Sequence, residues 1–81
     1  MNNNALKELI DSGREIEFIY NNKKYSITYG EINGVEVISF CEYYKESTEV
    51  TSFEELLKIT RDGISVEKMI NSISEDDIYI F

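Results

Sequence analysis

Side chains able to do chemistry are few in this chain, and most are of one kind. Histidine is absent, Cys41 is the single cysteine, and acids outnumber bases sixteen to eight, for a net charge of -8. Without histidine the commonest general base and metal ligand is missing, and a lone cysteine forms no internal disulfide. Cys41 falls in the middle of a β-prone run with no basic neighbour, which reads as a structural thiol rather than a nucleophile. Neighbouring acids such as Glu54 and Glu55 could share acid and base work, as paired carboxylates do in glycoside hydrolysis. That would need a dry cleft to separate their pKa values, and 81 residues leave little room for one. Asp62-Gly63 offers calcium a turn glycine but no alternating oxygen ligands around it. The expectation is a non-enzymatic protein with no metal and no cofactor.

What the acids can do is repel and attract. Residues 1 to 41 hold six acids and four bases, whereas residues 42 to 81 hold ten acids against Lys45, Lys58, Arg61 and Lys68. Such a surface repels nucleic acid and acidic membranes and is drawn to basic grooves; acidity kept for solubility is the plainer account of the same excess. Tyr43 and Tyr44 stand beside Glu42, Glu46 and Glu49. Aromatic rings among acids suit a contact with a basic partner, the rings supplying buried area and the carboxylates pairing with Arg or Lys.

These residues must be positioned by an α+β fold: a helix, a three-stranded antiparallel sheet made of two nested hairpins, then two helices. Leu6, Leu9 and Ile10 recur at helical spacing behind Asn3 or Asn4 as cap, with Gly13 as the stop, predicting a helix over Asn4–Ser12. Asn21-Asn22 separates two alternating runs and suits a two-residue type I′ turn, so Phe18 faces Tyr25 and Ile16 faces Ile27. Asn33-Gly34 is a second such turn, setting Tyr29 opposite Ile38 and Ile27 opposite Phe40. Val35, Val37, Cys41 and Tyr43 then point to the other face, which asks for a cover or a partner.

Tyr44 to Val50 reads as a polar loop with room for some extended character. Ser52 and Glu55 form a capping box opening a second helix, with Phe53, Leu56, Leu57 and Thr60 as its inner stripe and Asp62-Gly63 as its end. Val66, Met69, Ile70 and Ile73 mark a third helix behind Ser65. Glu75-Asp76-Asp77 would be unfavourable at a helix C-terminus and is placed beyond it. Two placements stay open for Ile78 to Phe81: a short further strand, or a cover over the second sheet face. All 81 residues form one domain. Met1 is followed by asparagines rather than by a basic and then apolar leader, so a soluble cytoplasmic protein is expected.

The order helix, three strands, helix is shared with double-stranded RNA-binding domains, but those place lysines where this chain has Glu54 and Glu55. The whole layout, a very short acidic chain opening on asparagines, resembles the small acidic anti-CRISPR proteins of Gram-positive prophages, which inhibit Cas9. Short uncharacterised proteins of low-GC Gram-positive bacteria are similar as well. The first resemblance implies a DNA mimic whose acids occupy the basic cleft that reads the PAM. Carried onto this chain it points to Glu42, Glu46, Glu49, Glu54, Glu55 and the triplet Glu75, Asp76, Asp77, gathered into one patch. The partner would be a basic nucleic-acid-binding protein, with Cas9 as the named case. The alternative is a housekeeping interaction module or homodimer pairing through the apolar face of strand three.

Overall fold

A computed structural model describes residues 1–81. In chain order the elements are α1 (Asn3–Asp11), β1 (Ile16–Tyr20), β2 (Lys23–Ile32), β3 (Val35–Glu42), β4 (Ser47–Val50), α2 (Phe53–Lys58), β5 (Thr60–Arg61), β6 (Ile64–Ser65), α3 (Val66–Ser72), a 3-10 turn (Glu75–Asp77) and β7 (Ile78–Ile80). The fold is α+β, and the main sheet is antiparallel in the order β4-β3-β2-β1-β7. No helix is long and apolar enough to cross a membrane.

The two asparagine turns set the sheet. Asn21 and Asn22 take φ of 52° and 63°, Asn33 and Gly34 take 52° and 81°, and both pairs are left-handed as a type I′ turn requires. Phe18 pairs with Tyr25, Ile16 with Ile27, Ile27 with Phe40 and Tyr29 with Ile38, as the turn chemistry predicts. The face so defined carries a stack of three rings. Phe18 and Tyr25 have centroids 5.3 Å apart, Tyr25 and Phe40 5.5 Å. Leu6 of α1, Leu56 of α2 and Val66, Met69 and Ile70 of α3 close over them, so the helices lie on one side of the sheet.

The sheet has five strands rather than three. Ser47-Thr48-Glu49-Val50, expected as loop, pairs with β3, setting Thr48 beside Phe40 and Val50 beside Ile38. Its alternation is muted because three of its four residues are polar, so only Val50 marks an inner face. Ile78–Ile80 takes the first of its two placements and pairs with β1 at the far edge.

The second helix is shorter than expected. It stops at Lys58, and Asp62-Gly63, with φ of 54° and 77°, turns a small ribbon of β5 and β6 instead of ending the helix. β-branched Ile59 and Thr60 favour extended backbone, and it is Ile59, not Thr60, that is buried. At the first helix Asn2 rather than Asn3 or Asn4 is the cap, its side chain accepting from the Ala5 amide at 2.8 Å. Asn3 is engaged elsewhere, donating to Glu67 and accepting from Asn71 across to α3.

Candidate functional site

The strand order decides where the expected site residues lie. Glu46 lies in the connection from β3 and Glu49 on edge strand β4, while Glu75, Asp76 and Asp77 lead into β7 at the opposite edge. With four strand spacings between those edges, roughly 19 Å of sheet separates the two groups. The single patch is therefore not formed: the triplet stands apart from the carboxylates of β4 and α2.

The remaining acids differ in freedom. Glu42 lies 3.8 Å from Lys23, which pairs more closely with Asp62 at 2.5 Å and so ties the β5–β6 ribbon to the sheet. Glu49 accepts from the Ser39 hydroxyl at 2.9 Å, and hydroxyls of Ser47 and Ser39 hold its carboxyl below the ordinary range. Glu55 is bound into the cap, accepting from the Thr51 and Ser52 hydroxyls at 2.9 and 3.1 Å. In return Ser52 accepts from the Glu55 amide at 3.1 Å. The box differs in one respect from expectation: the amide that Glu55 reaches back to is that of Thr51. Glu46 and Glu54 are exposed.

Tyr43 and Tyr44 part company. Tyr44 is wholly exposed and has φ of 67°, unusual for a bulky residue. Its ring meets Tyr43 edge-on at 6.2 Å. Tyr43 is braced beneath: its hydroxyl lowers the pKa of Glu17, Lys24 adding to the effect, and the Lys24 ammonium lies 4.9 Å from its ring centre. Cys41 donates through its thiol to the carbonyls of Lys45 and Glu42. Every carboxyl displaced clearly from its ordinary value, Glu17, Glu49, Glu55 and Asp62, is displaced downward by a hydrogen-bond donor.

A second concentration of acids lies where the distal end of β2 and β3 meets the end of α1 and the start of α2. Residues of these four segments and the adjoining Thr51 and Ser52 line a groove of about 730 Å3. Ile10, Tyr29, Ile38 and Phe53 line it with apolar surface, and Asp11, Glu31, Glu36 and Glu54 supply four carboxylates. Lys7 is the one base there, and it is already held by Asp11 at 3.0 Å. By strand alternation Glu31 and Glu36 share the face of Tyr29 and Ile38 and so stand over the groove. Of these carboxylates only Glu54 belongs to the expected set. The signal for two of the others was present: the register that sets Tyr29 opposite Ile38 also sets Glu31 opposite Glu36. Asp11 joins them only through the packing of α1.

Val37, expected to present an apolar second face, is 9 % exposed yet lies outside the main core. Of the residues expected on that face Val35 is exposed, and the other exposed large hydrophobics are Ile32 at the hairpin end, Tyr44, and Tyr79, Ile80 and Phe81 beside the β7 edge. Comparison with protein-family models, with curated proteins and with solved structures finds no match.

Proposed function

We propose that this protein is a non-enzymatic inhibitor of the kind carried by phages and mobile elements. In the cytoplasm it occupies the basic cleft of a nucleic-acid-binding protein and competes with DNA or RNA. One observation supports this most: of the eight carboxylates expected to make contact, only Glu42 has a lysine or arginine within 4.0 Å. The others carry charge that the molecule does not itself neutralise, and a basic surface would gain by meeting it. The separation of the triplet narrows the contact to the carboxylates of the β3–β4 turn, β4 and the start of α2, joined by those around the groove.

The resemblance to anti-CRISPR proteins makes a Cas9-type effector the first partner to test. Cleavage of a matched DNA target by the purified effector, with this protein added before the DNA, reads the proposal directly. Inhibition that weakens when DNA is added first, and that falls with salt, supports it; undiminished cleavage at saturating protein rejects that partner. Self-association is the second reading, favoured by the exposed Tyr79, Ile80 and Phe81 along an open strand edge. Sedimentation that is independent of concentration would dismiss it.

A further inference from the structure

We infer that the groove between the end of α1 and the start of α2 is a docking site for a partner segment that carries basic side chains around an apolar anchor. The inference rests on the inhibitor reading above and assigns its contact. Ile38 and Phe53 form an apolar floor, and Asp11, Glu31, Glu36 and Glu54 surround it with one partly cancelling base.

Each half of that description excludes a class of occupant. An acidic segment would be repelled by the rim. A purely apolar one would bury its own surface but strip water from Glu31, Glu36 and Glu54 without giving them a partner. A purely polar cation would leave the floor wet and gain nothing from it. Arginine and lysine flanking a leucine-sized side chain satisfy both parts, since their stems lie along apolar surface while their heads reach the carboxylates. A second copy of this chain fits poorly by charge, since it brings sixteen acids against eight bases to a rim that is already acidic.

The test uses a fluorescein-labelled Arg-Leu-Arg-Arg-Leu-Arg peptide, with hexa-arginine and Glu-Leu-Glu-Glu-Leu-Glu for comparison, followed by anisotropy against the full chain. The mixed peptide should bind more tightly than hexa-arginine, and the acidic one should not bind. Glu36→Gln with Glu54→Gln should weaken the mixed peptide at least about fivefold, whereas Glu75→Gln with Asp76→Asn at the opposite edge should leave it unchanged. Equal losses in both double variants, equal affinity for hexa-arginine, or no binding at all would overturn the site. So would a dimer, seen by sedimentation, that dissociates in the Glu36→Gln, Glu54→Gln variant. Failure to inhibit a Cas9-type effector would remove that partner without touching the peptide result; inhibition that survives Glu36→Gln and Glu54→Gln would keep the inhibitor and discard the groove.

Discussion

Glu31 and Glu36 stand directly opposite each other on adjacent antiparallel strands, both exposed, one pair away from the Asn33-Gly34 turn. Like charges so placed oppose the hairpin they sit in. Replacing Glu36 with Gln should therefore stabilise the protein by about 0.2–1 kcal/mol, read by urea denaturation, while weakening its hold on the basic peptide. A loss of stability would mean that this pair is satisfied in a way its position does not suggest.

Tyr44 holds a left-handed backbone without the side chain that favours it. Asparagine tolerates that conformation far better, so Tyr44→Asn should leave stability unchanged or raise it by up to about 1 kcal/mol. Thermal melting checks this. If Tyr44 also anchors a partner, inhibition should fall in the same variant that melts higher.

Phe40 touches both halves of the account. It stacks on Tyr25, and the Arg61 guanidinium lies 5.2 Å from its ring centre. Arg61 in turn donates to the Thr48 hydroxyl at 2.7 Å, which fastens the β5–β6 ribbon to β4. Phe40→Ala should cost about 3–5 kcal/mol in chemical denaturation, a large share of what a domain this small possesses. A cost below about 1 kcal/mol would contradict the position of the core.

Acid should loosen the ribbon. The Asp62 carboxyl is held below its ordinary 3.8 by the hydrogen bond from Lys23, and the Lys23 ammonium is held above its ordinary 10.5 by Asp62. A lowered carboxyl pKa stabilises the fold above the ordinary value and ceases to do so as pH falls through the folded one. The raised lysine pKa acts at the other limb, lost as pH rises past its folded value. Asp62→Asn should therefore melt a little below the native protein at about pH 7, the difference closing as pH falls below the ordinary carboxyl value of 3.8. The pair is exposed, so the gap should be small and should shrink with salt. A gap that widens in acid would show that the pair does not stabilise the fold.

Strand register was legible because two turns of demanding backbone chemistry, Asn21-Asn22 and Asn33-Gly34, each fix which residues face each other. Glu31 opposite Glu36 followed from the same register as Tyr29 opposite Ile38. β4 was hidden because Ser47, Thr48 and Glu49 carry the polarity of a loop, and only pairing with β3 makes them a strand. The ribbon at Asp62-Gly63 carried the same turn signal as the other two, yet a helix stop reads identically in Gly alone. The spread of the acids could not be read in advance at all, since it depends on β7 joining β1 rather than β3. The groove likewise depends on packing that brings the end of α1 and the start of α2 beside the distal end of β2 and β3.

The most direct measurement is the affinity of this protein for a DNA-free Cas9-type effector across about 50 to 300 mM salt, made with the native chain and with the Glu36→Gln, Glu54→Gln variant. Binding should fall at least about tenfold over that range and be several-fold weaker in the variant throughout. An affinity indifferent to salt and to both substitutions would contradict the inhibitor reading.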